Sequence, residues 1–465
     1  MRAPFTLVAL LLAGCLAPAS DVLPIGAPGA ADEVARAVAY LGDGGAAPLP
    51  ERLGEATYVL TGHKGGEPNI GVSAKGSVFA TAGDEVLRSR DLGATWETVY
   101  GFGLEGKGAP VDPIRNSDPM LWIDPVTDII YDDPMWPALL CSSLVSSKDD
   151  GDTWFERHGV CSPPPMDHQR LGSGIPGPKP PAMAGKLHPT VLYQCYNQVA
   201  TSVCLASFDG GVDWAYHTVV ASPKDGCAGT TGSPRAGPDG TVAVAMWCDN
   251  PPLAAFSEDN GLTWRVSALP DVEGAGWGDP SIAWTPDGTV YVSYSDGDWG
   301  QYLARSSDEG ATWEGPWPLV PADFGSAVFG AIVAGADGEL GAITISTRDA
   351  VDDPSDADDE TRWHAFITTT EDADAANPTF VTRQVTPDED PVQIGCVSTR
   401  GFEVAGLPCR NMADFIDAAV APDGTFFGVY TEGCTEGCAG NADAKPDDSR
   451  DRQVAIVRLD GWSLY

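Results

Sequence analysis

Five stretches of the chain repeat one another: SRDLGATW (residues 89–96), SKDDGDTW (147–154), SFDGGVDW (207–214), SEDNGLTW (257–264) and SSDEGATW (306–313). Each holds a serine, an aspartate two residues on, a glycine two further, and a tryptophan three beyond that. Gly93, Gly151, Gly211, Gly261 and Gly310 permit the positive φ of a tight hairpin. The aspartate can accept backbone N–H groups across such a turn. The tryptophan opens the next strand and offers a large apolar face for burial between sheets. A second repeat surrounds the first: GEPNIGVSAKGSVFATA (66–82), GDPSIAWTPDGTVYVSY (278–294) and DFIDAAVAPDGTFFGVY (414–430) each read as strand, turn, strand. Their turns fall at Lys75-Gly76, Asp287-Gly288 and Asp423-Gly424, with similar turns at Asp239-Gly240 and Asp337-Gly338. Joining the two repeats gives units that start near Glu67, Asp118, Asp167, Ser233, Asp279, Phe329 and Asp414, the last two without the Ser-x-Asp-x-Gly pattern.

The first repeat resembles the Asp-box, or BNR, repeat of sialidases and related propellers. The resemblance covers residues 58 to the end and implies an all-β chain: a β-propeller of seven four-stranded blades, with six as the alternative count. In that family the Asp-box hairpins join the third and fourth strands of each blade, away from the ligand face, so they speak for fold and hardly for function. The seventh unit lacks a strand after residues 454–459, and residues 57–60 are placed to supply it and close the ring.

Upstream of the propeller the sequence reads as an address and a tether. Arg2 and an apolar run from Phe5 to Ala13 precede Leu12, Ala13, Gly14 and Cys15, which resemble the lipobox of bacterial lipoproteins. That resemblance implies a lipid on Cys15, an exported protein and, with Leu16 rather than aspartate next, the outer membrane or cell surface. An ordinary secretory signal cut after Ala19 is the alternative. The expected division is a signal over residues 1–15, an Ala/Gly/Pro-rich tether over 16–56 and the propeller over 57–465.

The chain holds 11 cysteines, so ten remain for disulfides once Cys15 is set aside. Neighbours in sequence give Cys141–Cys161, Cys195–Cys204, Cys227–Cys248, Cys396–Cys409 and Cys434–Cys438. The first two are centred on expected hairpins, so they also test the strand register. None of the six histidines stands at zinc spacing from cysteines, and no metal site is assigned. Acidic tracts at 349–360 and 443–451 would suit calcium but match no EF-hand and read as solvated loops. A formal charge of −39 argues against a nucleic-acid partner. No other cofactor is expected, and a monomer is.

In propellers the ligand face is the one where each innermost strand begins. Glu67, Asp118, Asp167 and Asp279 occupy those starts, with Asp414 displaced by one; His168 and Arg170 follow Asp167, while Arg115 and Arg410 precede Asp118 and Asp414. The expectation is an acidic axial mouth that binds a glycan, a surface protein or a cation. The alternative is a glycoside hydrolase, either sialidase-like or acting on neutral glycans through paired aspartates drawn from Asp118, Asp167 and Asp279. Enzymatic sialidases open their first blade with Arg-Ile-Pro, where this chain has Glu67-Pro68-Asn69, which puts repulsion where an anionic sugar must dock. Arg115, Arg235 and Arg410 are candidates for a different clamp. Tyr430 and Glu432 are the nearest counterparts of the family's tyrosine–glutamate nucleophile pair.

Overall fold

A strand buried on both faces must satisfy two neighbours at once, and alternation supplies the means. Val78, Ala80 and Ala82 pack against Phe427, Val429 and Ile456, whereas Phe79 between them packs against Leu121, Ile130, Val145 and Trp154. The first group belongs to the seam with the last sheet and the second to the seam with the next sheet. Similar seams recur around the molecule. Small residues let the sheets approach: a Cβ on Gly428 would lie 2.7 Å from Ile343 Cδ1.

The computed structural model describes residues 55–101, 118–136, 141–161, 166–227, 231–248, 251–274, 278–398, 409, 412, 414–433 and 452–465. They form seven antiparallel sheets, each with a four-strand path, and one small two-stranded sheet of Met135–Trp136 and Cys141–Ser142. The innermost strands are Ile70–Val72, Leu121–Ile123, Met166–Gly174, Arg235–Ala236, Ser281–Trp284, Ser326–Ala334 and Asp417–Val420. Each lies against the next, and the seventh against the first, which makes the arrangement a closed seven-bladed β-propeller. Six blades are thereby excluded.

Closure follows the expected route. The seventh blade runs Asp417–Val420, Phe426–Glu432 and Gln453–Asp460 outward, and its fourth strand is Glu55–Leu60. Glu55 pairs with Asp460 and Leu60 with Ala455 in unbroken register.

The five Ser-x-Asp-x-Gly segments connect third and fourth strands, as expected. In the first, Ser89 Oγ donates to Asp91 Oδ1 (2.7 Å), and Thr95 donates to the same carboxylate from its backbone N (2.8 Å) and its hydroxyl (2.6 Å). Those donors, the Thr95 hydroxyl foremost, hold the Asp91 carboxyl down at about 2. The sixth blade keeps a reduced version that the sequence pattern misses: Thr370 Oγ1 donates to Asp372 Oδ1 at 2.7 Å.

Four disulfides are present, Cys141–Cys161, Cys195–Cys204, Cys227–Cys248 and Cys396–Cys409. Cys195 and Cys204 face each other across the second and third strands of the third blade. Cys141 and Cys161 form an antiparallel bridge beyond the third and fourth strands of the second. Both test pairs therefore agree with the register. Cys434 and Cys438 lie outside the described residues, as does Cys15. All four described bridges lie on the face where innermost strands begin, whereas the Ser-x-Asp hairpins lie on the opposite face. Four disulfides mark an exported protein. Among the described residues no helix is long and apolar enough to cross a membrane.

The closing strand generates a test. The comparison is between chains that begin at residue 55 and at residue 61. Removing residues 1–60 deletes a full strand partner and should lower stability by several kcal/mol or prevent folding, since it exposes the edge of Gln453–Asp460. Equal melting temperatures for the two truncations would overturn this account of closure.

Candidate functional site: an acidic axial mouth

The mouth is built by the way each innermost strand starts. Glu67, Asp118 and Asp279 each stand just before a proline that leads into the strand. The third blade does it differently. Its first strand pairs Asp167 with Asn197 and then Arg170 with Cys195, so a bulge takes up His168 and Gln169. Such a bulge re-aims side chains, and here it turns Asp167, His168 and Arg170 together toward the axis. Two non-glycine residues at the mouth sit in the left-handed region, Glu67 at φ 55° and His168 at φ 52°. That conformation costs roughly 1–2 kcal/mol for a side-chain-bearing residue and persists where surroundings enforce it.

These starts bring the five acidic residues and His168 together. The Glu67 and Asp118 carboxyls share a hydrogen bond. His168 Nδ1 lies 3.5 Å from Asp279 Oδ2, and its Nε2 lies 3.7 Å from Asp414 Oδ2. Arg170 Nη2 donates to Asp279 Oδ2, and the Arg170 guanidinium lies 3.6 Å over the Phe415 ring. Burial pushes the Glu67 carboxyl well above its usual range, with Asp118 and Asp414 adding to the push. Asp118 is raised by burial and by Asp167 and Asp414, against opposing contributions from His168 and the Glu67 hydrogen bond. Burial would lower His168, yet Asp279 and Asp414 outweigh it and hold the imidazole charged. Two hydrogen-bonded carboxyls need a proton between them, so this pair titrates as a unit.

Deeper along the axis the wall carries Asn69, Arg235, Ser281, Phe329 and Asp417. Arg235 lies 4.5 Å over the Trp122 ring and donates to the carbonyls of Pro234 (3.1 Å) and Leu171 (3.4 Å). Its guanidinium is therefore taken up by the wall, not held out as a carboxylate clamp. Asp417 is raised by burial, offset by Arg235 and by the backbone N–H groups of Ala418 and Ile70. Sequence reading set Arg170 beside Asp167 at the mouth but did not place Phe415 or Asp417 there. Asp417 had a signal, as a lone charge in an apolar inner strand. Arg115 and Arg410 lie outside the described residues.

One expectation is overturned. Tyr430 and Glu432 lie on the second strand of the seventh blade, and Tyr430 is fully buried. The charges acting on Tyr430 come from Glu432, Tyr58 and Asp390, and Tyr58 donates to Asp390 at 2.6 Å. That places the pair in the seam beside the sixth blade, away from the mouth. A strand's alternation sends every second side chain into a seam, and the sequence alone does not say which. Among the described residues no group of three or more His, Cys, Asp or Glu is arranged to hold a metal ion.

No family model matches the chain, and no curated protein is similar to it. Solved structures are similar in shape. The α-L-arabinanase of Penicillium chrysogenum, with arabinobiose, is 16% identical over 64% of this chain and 94% of its own, at a TM-score of 0.41. The leech intramolecular trans-sialidase is 13% identical over 90% of this chain and 71% of its own, also at 0.41. The intramolecular trans-sialidase of Ruminococcus gnavus is 13% identical over 84% of this chain and 94% of its own, at 0.39.

Glu67 gives a test of the mouth's electrostatics. Its folded pKa is raised, so the stability it supports is present below its unfolded value of about 4.3 and is lost as pH rises through the folded value. Glu67→Gln should match the wild type in thermal stability at pH 4 and exceed it at pH 8. A variant less stable at pH 8 would show Glu67 to be a structural acceptor instead.

Proposed function

We propose that the axial mouth is the active site of a glycoside hydrolase acting on neutral glycans. The observation that carries this reading is the hydrogen-bonded Glu67–Asp118 pair beside Asp414. Burial and neighbouring charge raise both carboxyls above their usual range, the direction a general acid needs in order to hold the proton it gives to a leaving glycosidic oxygen. Asp414, facing the pair and His168, is the candidate base or nucleophile. Asp279 serves less well, because its charge is already met by Arg170 and His168. Asp167 adds to the field that raises Asp118. A non-catalytic binding site has no need of a retained proton, and for that reason the hydrolase is favoured over the binding reading.

Among the described residues, the cations favour a neutral substrate. Arg170 is engaged by Asp279 and Phe415, and Arg235 by Trp122 and backbone carbonyls. Neither guanidinium presents its fork to a sugar carboxylate. The reading is of the same class as the arabinanase and trans-sialidase activities named for the similar structures, but it rests on the carboxyl pair.

Neutral and sialylated aryl glycosides, assayed with and without calcium, test it. Neutral glycosides should be cleaved and sialosides not, and Asp118→Asn or Glu67→Gln should lower kcat by about 10²–10⁴-fold. Glycan binding without turnover anywhere between pH 4 and 8 would return the mouth to a purely binding role.

We also propose that the protein is lipid-anchored through Cys15, on the strength of Leu12, Ala13, Gly14 and Cys15 behind a short apolar run. Cys15→Ser should move the protein from the membrane fraction to the soluble one. A mature N-terminus at Ser20 without lipid would refute the anchor.

A further inference from the structure

We propose that Gln169 is a positioning residue of the mouth: its side-chain amide, reaching from the third blade into the second, holds the backbone at Asp118 and so helps set where the Asp118 carboxyl stands against Glu67. The catalytic meaning of this hold rests on the hydrolase reading above; the hold itself does not.

The bulge in the third blade's innermost strand creates the arrangement. That strand pairs Asp167 with Asn197 and then Arg170 with Cys195, so Gln169 lies in the irregular step between them. Arg170 reaches Asp279 at the mouth, whereas Gln169 enters the seam with the second blade and is only 1% exposed. Its Nε2 donates to Asp118 O at 2.6 Å and to Asp133 O at 3.1 Å. Both partners are carbonyl oxygens, which only accept, so the amide has one workable orientation, nitrogen toward them. Its own Oε1 is buried with no hydrogen-bond partner among the described residues. An unpaired buried oxygen costs stability, so an apolar side chain would suit the seam better were the N–H groups not needed.

The two carbonyls mark the place where the second blade's ladder gives out. Leu121 pairs with Asp132, and Asp133 N donates to Met120 O at 2.8 Å, one step nearer the mouth. Pro119 has no N–H with which to carry the ladder on toward Asp118. The amide of the neighbouring blade takes over there and spans the ends of both strands. Glu67 meets Asp118 from the first blade through the side chain, and Gln169 meets it from the third through the backbone. Asp118 is thus held from both flanking blades, on different atoms.

Gln169→Glu tests the hold. The variant keeps the shape of the side chain, but an ionised carboxylate has no hydrogen to offer and turns oxygen toward two carbonyls. Once protonated, it can donate to one of them. Its kcat at pH 8 should fall about a hundredfold below the wild type, the scale that a misplaced group costs, at nearly unchanged KM. The ratio to the wild type should rise as the pH is lowered to 5. Gln169→Leu, which never carries a donor, should be impaired equally at both pH values. A Gln169→Glu ratio that stays constant between pH 8 and 5, or full kcat in Gln169→Leu, would overturn the proposal. Should the wild type cleave no glycoside, the hydrolase reading fails and the hold is judged by stability alone. The melting-temperature shifts of Glu67→Gln and Gln169→Leu should then not sum in the double variant, because both act on Asp118. Shifts that sum would overturn the hold.

Discussion

The structure depends on one constraint, that each sheet must bury both of its faces, and a ring is the arrangement that grants this to all seven equally. Trp154 shows what the constraint asks of a single side chain. It opens the fourth strand of the second blade, is almost fully buried in the seam with the first, and donates its indole N–H to Gly151 O at 3.1 Å. One side chain thus closes its own hairpin and seals the neighbouring seam. Since burial is two-sided, the strands carry near-continuous apolar runs, and the polar positions along them have to be paid off locally.

What is left over from packing collects at the axis. The innermost strands converge at their starts, where no sheet covers them, and the charged residues there compensate one another. His168, Arg170 and Arg235 oppose Asp279, Asp414 and Asp417, and Glu67 and Asp118 are reconciled by a shared hydrogen bond. Among the described residues the charges at the mouth are met in these ways. Its acids differ in kind: some are met by cations, others by a proton. Acid–base chemistry requires that difference.

Much of the ring was legible in the sequence because its rules are local. A hairpin needs glycine at fixed offsets, an inner strand needs β-branched and aromatic residues, and residues 57–60 had an evident vacancy to fill in the last blade. The convergence of Glu67, Asp118, Asp167, Asp279 and Asp414 followed from aligning those turns. The remainder depended on which face a residue takes. The bulge at His168 has no signal in residue type, and without it Arg170 would not reach Asp279. Tyr430 was misplaced by the same ambiguity. Asp133, which burial lifts to about 7 while Ser142 and Gln194 hydrogen bonds hold it back, lies in a seam that no sequence pattern marks. Thr370 and Asp372 kept the geometry of the hairpin after losing its glycine and tryptophan spacing.

The pairing of Glu55 with Asp460 has a consequence for how the fold can be rewired. Directly opposed residues in an antiparallel pair stand only about 5 Å apart, so the first and last strands of the propeller begin and end side by side. A linker of a few residues could join them, and the chain could be reopened at any Ser-x-Asp hairpin on the face opposite the mouth. The seven sheets and their seams would be unchanged by such a permutation, because the ring has no intrinsic first blade. For the same reason the propeller could be spliced into a surface loop of another protein, with its mouth carried along intact.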